Sequence, residues 1–327
     1  MLTFQESISS DAGVGRNFPP CGQAFKKYSK RFGIKGKIMA SYADRDGKVW
    51  MDGELVDWRD AKVHVLSHAL HYASAVFEGE RCYDGKIFKT REHAERLLKS
   101  GELIDMEIPW TADQIVAAKD EVLKANGFTN AYVRALAFRG AGPDMGVAAS
   151  NNPVQLAICC WEWGNYYGDA KWQGAKLDIS KWKRPSPETI PSAAKAAGLY
   201  MICTMSKHAA EKKGCSDALF MDYRGYVAEA TGANVFFVKD GEIHTPLADV
   251  FLNGITRQTI IQMCKDMGMV VHERHILPEE VADFQECFLT GSAAEVTPVA
   301  QIGEDWHFQV GETTRKIAEG YEALVRA

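Results

Sequence analysis

The chain has 327 residues, 46% of them apolar and 25% charged, with a formal net charge of -5. That length accommodates two domains of ordinary size, each with its own core, and the balance is that of a soluble globular protein. The acidic balance excludes a basic face for nucleic acid, and no apolar run reaches the roughly 18 residues that a membrane span needs.

Residues 1–46 read as a weakly patterned extension with Gly, Ser, Pro and a basic patch (Lys26, Lys27, Lys30, Arg31, Lys35, Lys37), expected to be partly disordered or packed on a neighbour. Their start lacks a basic region followed by an apolar core, so no secretory signal is expected. The organised chain begins at Lys48-Val49-Trp50-Met51, where Asp52-Gly53 supplies a two-residue hairpin turn into Glu54-Leu55-Val56. A second strand pair, residues 77–83 and 86–89, brackets Asp84-Gly85. Between the pairs lie His64, His68 and His71, for which structural or hydrogen-bonding roles are expected rather than catalysis.

An amphipathic helix follows at residues 91–100, with Ala94, Leu97 and Leu98 inward and Arg96 on an adjoining face. A second runs from Thr111 to Asn126, capped by Thr111 with an acid in its first turn. Strands at 131–138 and 154–161 complete a small α+β domain over residues 47–165. A polar, aromatic stretch at 166–174 reads as the interdomain loop, and residues 175–327 as a larger domain. There the spacing predicts a strand at 176–182 and a long helix at 193–213. Hairpins are expected at 218–229 and 234–244, and helices at 254–267 and 313–325. Eight scattered cysteines with no CxxC pair read as reduced thiols in a cytoplasmic setting. His272 and His275 flank Glu273-Arg274 in an expected strand, where a solvated or packed role outweighs metal ligation.

The chemistry centres on Lys195. It is a lone cation in the small, uncharged run 191–200, Pro-Ser-Ala-Ala-Lys-Ala-Ala-Gly-Leu-Tyr. A lysine that loses hydration there is expected to be available as the free amine, the form that makes an imine with an aldehyde. The same run also fits an exposed lysine on an Ala-rich helix, so other residues must decide. Glu229 ends a strand beside the small-residue turn 230–233. That suits either a solvated strand end or the acid that keeps a pyridine nitrogen protonated. Gly254-Ile255-Thr256 turns from loop to helix, so free N–H groups and the positive helix end meet at one point. Ser292 offers a hydroxyl and an N–H at the Gly291 turn, and Arg96 a guanidinium fork for a phosphate.

Val76-Phe77-Glu78-Gly79 with Arg81-Cys82-Tyr83, Ala131-Tyr132-Val133-Arg134, Ile190 to Tyr200, Gly254 to Arg257 and Gly291 to Pro298 together carry a resemblance. From about Val49 onward the chain resembles the branched-chain amino acid aminotransferases among the fold-type IV pyridoxal-phosphate enzymes. The resemblance implies a two-domain, mixed α+β and α/β fold of the D-amino acid aminotransferase-like kind, with the cofactor in the larger domain. It implies that Lys195 carries pyridoxal 5'-phosphate, that Glu229 pairs with the pyridine nitrogen and that Tyr200 contacts the ring-side oxygen. Arg96, Ile255, Thr256 and Ser292 would hold the phosphate.

The same resemblance sets Tyr72, Phe77, Gly79, Tyr132, Trp163 and Ala293 around the substrate, with Arg134 helping to orient its carboxylate and Arg81 at the pocket mouth. It further implies ping-pong transfer from leucine, isoleucine or valine to 2-oxoglutarate, in a homodimer or larger assembly. An (R)-selective amine or D-amino acid transaminase of the same fold would share Lys195, Glu229 and the phosphate cradle. One departure stands out: where the family usually has Gly-Glu-Asn, this chain has Gly232-Ala233-Asn234.

Overall fold

The computed structural model describes residues 41–164 and 168–327. Most of the expected amino-terminal extension and the start of the expected interdomain loop lie outside these residues. Two sheets organise the rest.

The first sheet holds β1 (Lys48–Met51), β2 (Glu54–Asp57), β3 (Ala75–Phe77), β4 (Glu80–Tyr83), β5 (Lys86–Ile87), β6 (Ala131–Arg139) and β7 (Val154–Glu162). Its order is β2-β1-β7-β6-β4-β5, with β3 also paired to β6. Both expected hairpins are present. Asp52 and Gly53 (φ 51° and 108°), like Asp84 and Gly85 (φ 49° and 87°), take the paired left-handed conformations of a tight two-residue turn. A short helix, α1 (His68–Tyr72), precedes β3, and α2 (Thr90–Leu103) and α3 (Ala112–Asn126) cover one face. Thr111 and Gln114 cap each other at the start of α3, and Gly127 (φ 70°) ends it. Ala94 and Leu97 of α2 and Ile115, Ala118 and Val122 of α3 pack on alternate residues of β6 and β7 (Val133, Ala135, Ala137, Leu156, Ile158). This is the period-2 burial of a half-covered sheet.

The second sheet holds β8 (Ala175–Ile179), β9 (Asp217–Met221), β10 (Val227–Ala230), β11 (Asn234–Lys239), β12 (Glu242–Pro246), β13 (Val271–Arg274), β14 (Glu286–Gly291), β15 (Glu295–Ile302) and β16 (Trp306–His307). Its order is β10-β9-β8-β15-β14-β11-β12-β13, and an extra β10–β11 pairing closes six strands into a barrel-like ring. Leu177, Leu219, Val235, Phe237, Leu289 and Val299 fill one apolar cluster of this sheet. A second cluster joins Phe236, Phe288 and Val296 to α5 (Ile255–Asp266) and α6 (Glu312–Arg326). A third lies between α4 (Tyr200–Lys212) and the strand residues Phe220 and Ala228.

Two expectations are corrected. The strand expected at 176–182 ends at Ile179, and the helix expected at 193–213 begins only at Tyr200, after a 3-10 turn at Ala197–Leu199. Lys195 therefore stands on an extended segment. The reason is tertiary. Lys195 O accepts from Phe77 N at 3.1 Å, Lys195 N donates to Ser100 Oγ at 3.0 Å, and Ala196 bridges Val76. Helical residues would have spent those groups within their own turns.

Candidate active site

Lys195 lies in a cleft between the two sheets. Its Nζ donates to the Tyr200 hydroxyl at 2.9 Å and stands 5.0 Å from the centre of the Phe77 ring. Burial pushes its ammonium toward neutrality, as the small-residue run suggested. The niche is not electrically neutral, however. Tyr200 and Glu78 outweigh both burial and the repulsion of Arg96, so the ammonium is held above the usual lysine range. Dryness alone therefore does not set the state of Lys195: burial pushes its ammonium down while its neighbours push it up.

Glu229 is the second-last residue of β10 and is buried. Its Oε1 lies 3.2 Å from Arg184 Nε, and its Oε2 accepts from Asn234 Nδ2 at 3.1 Å. Burial raises its carboxyl to about 7, against the pull of Arg184, Lys195 and Arg257. The sequence does not single out Arg184, because Lys181-Trp182-Lys183-Arg184 reads as a solvated basic run. The backbone bridge between Arg184 and Asp222 turns that one side chain inward. The departure at Ala233 also has an explanation. Ala233 is 8% exposed and packs in the apolar cluster of the second sheet, where an acid would be buried without need.

The other end of the cleft is built for an anion. Gly254 precedes α5 without any side-chain cap, so the first amides of the helix have no side-chain acceptor there. A Cβ on Gly254 would sit 2.3 Å from Asn234 Oδ1, which is why glycine stands there. Ile255, Thr256, Ser292 and Arg96 line the same cleft. Arg96 Nε and Nη2 both donate to Glu78 at 2.7 Å, while its buried Nη1 has no hydrogen-bond partner among the described residues. Glu78 is fully buried and also lies 2.6 Å from His93 Nδ1. Burial alone would raise Glu78, but Arg96 and His93 hold its carboxyl far below the usual range. An orphaned guanidinium N–H opposite an open helix end fits a phosphate. Neither Glu78 nor His93 stands out from the sequence as a functional group, although an acid inside the apolar run Val76-Phe77-Glu78-Gly79 is a usable signal.

On the substrate side, Gly79, Tyr132 and Ala293 line the cleft. Tyr132 lies so close over Gly79 that a Cβ there would be 1.9 Å from its hydroxyl. Arg134 Nη2 donates to that hydroxyl at 3.3 Å, and its guanidinium stacks 4.7 Å from the Phe77 ring centre. Three expected residues border this lining rather than form it. Tyr72 is exposed and donates to Met145 O at 3.3 Å. Arg81 is drawn into a neighbouring cavity by Glu295 at 3.3 Å. Trp163 lines that second cavity too, its ring 5.2 Å from that of Tyr132.

The histidines behave as structural groups. His68 is buried, with Nδ1 2.7 Å from Ser74 Oγ and Nε2 3.1 Å from Gly146 O. Strand pairing brings Glu242, His244 and His272 together rather than His272 and His275. The Arg274 guanidinium occupies His244 Nδ1 at 3.3 Å, however, and sets a positive charge against any cation.

A lysine and an acid in one cleft, an anion cradle beyond them and a six-stranded ring beneath are the marks of the fold-type IV aminotransferases. Residues 75–302 match the amino-transferase class IV family, and the chain belongs to it. A Pseudomonas aeruginosa protein named branched-chain-amino-acid aminotransferase is 40% identical over 292 residues, 87% of this chain and 95% of that one. Its Escherichia coli K12 namesake is 38% identical over 291 residues, covering 84% and 92%. Among solved structures, a T.th. branched-chain amino acid aminotransferase with pyridoxamine 5'-phosphate superposes with a TM-score of 0.83 at 38% identity, over 86% of this chain and 96% of that one. The Thermoproteus uzoniensis branched-chain aminotransferase with norvaline gives 0.82 at 35%, over 86% and 95%.

Proposed function

We propose that the protein is a pyridoxal 5'-phosphate-dependent transaminase. It moves the amino group of leucine, isoleucine or valine to 2-oxoglutarate by a ping-pong cycle. One observation carries the reading: Lys195, Glu229 and the cradle of Arg96, Thr256 and Ser292 line the same cleft. When bound, pyridoxal phosphate supplies an aldehyde that takes up an amine and a ring that stores an electron pair.

The chain's own residues do the rest. Arg96 Nη1, the first amides of α5 and Ser292 bind the phosphate. Glu229, which burial pushes up to about 7, gains a cationic partner when it holds a proton at the ring nitrogen. Tyr200 fixes Lys195 Nζ and meets the ring-side oxygen. Lys195 takes the α-proton of the amino acid as a base and returns it as an acid. Tyr132, Arg134 and the Ser292-Ala293 backbone orient the carboxylate, and Phe77 and Gly79 leave an apolar slot. The first half-cycle releases a 2-oxo acid, and a second 2-oxo acid reverses it.

The chain is read as a homodimer. The exposed run of Val65, Leu66, Leu70, Tyr72 and Val147 supports this, as a surface that a second copy would cover. Seven cysteines among the described residues are free, in keeping with a cytoplasmic setting.

A donor panel tests the reading: L-leucine, L-isoleucine, L-valine, D-alanine and (R)-1-phenylethylamine, with 2-oxoglutarate or pyruvate as acceptor. The three branched L-amino acids should be used fastest, and Lys195→Ala should lose at least about 10³-fold in turnover. A preference for D-alanine or the (R)-amine would overturn the substrate assignment. Sedimentation at a monomer's mass would overturn the dimer.

A further inference from the structure

The turn that carries Ser292 and Ala293 closes on a residue with an unexpected backbone. Gly291 and Glu295 are the last pair of β14 and β15, and Glu295 has φ 51°. A three-residue hairpin loop ending in a left-handed residue is an ordinary device, but the residue there is usually glycine. A glutamate strains the turn, and such strain persists only where the surroundings hold it.

What holds it is the opposite sheet. Glu295 Oε1 accepts from the Tyr83 hydroxyl at 2.8 Å and lies 3.3 Å from Arg81 Nη1. Arg81 and Tyr83 are buried, and the guanidinium lies 4.8 Å over the Tyr83 ring. Both stand on β4, which follows directly from Gly79. From the other side, Thr297 Oγ1 donates to Ala294 O at 2.7 Å. The turn is thus tied at one end to its own strand and at the other to the strand that carries the facing wall of the cleft.

We propose that Glu295 is a positioning residue for the reaction. Its carboxylate, gripped by Tyr83 and Arg81, sets where the Ser292-Ala293 turn stands against Gly79 and Tyr132, and so sets the grip on the substrate carboxylate. This explains why Arg81 leaves the cleft: it acts through Glu295 rather than on the substrate. The inference rests on the reading of the cleft given under the proposed function.

The test compares the wild-type holoenzyme with Glu295→Gly and Glu295→Gln. The readouts are melting temperature, KM and kcat with L-leucine, and the dissociation constant of 4-methylvalerate followed by the absorbance of the bound cofactor. Glycine relieves the backbone at this φ while the buried Arg81 loses its acceptor, so the melting temperature of Glu295→Gly should shift by no more than a few degrees. Its KM and 4-methylvalerate constant should each rise about 10-fold while kcat changes by less than about 3-fold. Glu295→Gln, which can still accept from Tyr83, should show a rise of about 3-fold. Wild-type KM and 4-methylvalerate binding in Glu295→Gly would overturn the proposal, as would a lower melting temperature with both constants unchanged. If the wild type binds 4-methylvalerate but never turns over L-leucine, the proposed activity fails while the carboxylate readout still judges Glu295.

Discussion

Two buried glutamates flank the same cleft and are held in opposite ways. Glu78, from the first sheet's side, takes two bonds from Arg96 and a third contact from His93, and its carboxyl is held far below the usual range. Glu229, on the second sheet, has a longer contact with Arg184 and an amide, and burial raises it to about 7. The first is saturated by its own protein, and so its work is to hold Arg96 still. The second is left short of positive charge, and so it suits a ligand that brings some. Burial is common to both; the count and quality of donors separates an anchor from a receptor.

The contrast can be broken most sharply at Glu229. Glu229→Gln should bind the cofactor but lose about 10³-fold in turnover, because an amide cannot hold the ring nitrogen charged. Near-native turnover would refute the receptor role.

In the cofactor-free protein the same change should stabilise. The folded carboxyl titrates at about 7 against an ordinary 4.5, so ionising it opposes folding. The gain should be absent below about pH 4.5, grow up to about pH 7 and level off at about 3 kcal/mol by about pH 8, measured by urea unfolding across pH. A gain that shrinks as the pH rises would show the sign to be wrong.

Glu78→Gln should do the reverse, costing about 3 kcal/mol of stability by leaving buried cations underpaired. It should weaken cofactor binding about 10-fold, read by titrating the cofactor-free protein. A smaller effect is expected at Gly79→Ala, which pushes the Tyr132 hydroxyl aside. There KM for L-leucine should rise several-fold, about one order at most, with little change in melting temperature.

Local chemistry made much of the fold legible. The Asp-Gly turns, the Thr111 cap and the alternation in β6 and β7 are short-range signals, and each was found where the residues put it. Lys195, Glu229 and the Gly254 helix start were also legible, since each is a departure from its neighbours: a charge among alanines, an acid beside a turn, a glycine before a helix. The missed groups share one cause. Arg184 and His93 look solvated in sequence, Glu78 gives only the signal of an acid in an apolar run, and all three are buried by pairings that join distant segments. Alanines around Lys195 favour a helix, and β3 overrides that preference by claiming the lysine's carbonyl. Arg81 was legible as important but not as an intermediary, because its partner Glu295 lies in the other sheet.

The walls of the cleft run from Gly79 to Ala293, so its last piece is supplied long after its first. A growing polypeptide can complete its first sheet long before it can grip a phosphate. Cofactor capture is then a finishing step, rewarding assembled molecules by mass action and giving no help to earlier ones. Withholding pyridoxal 5'-phosphate should therefore deplete this protein through the fate of folded molecules that have not bound it.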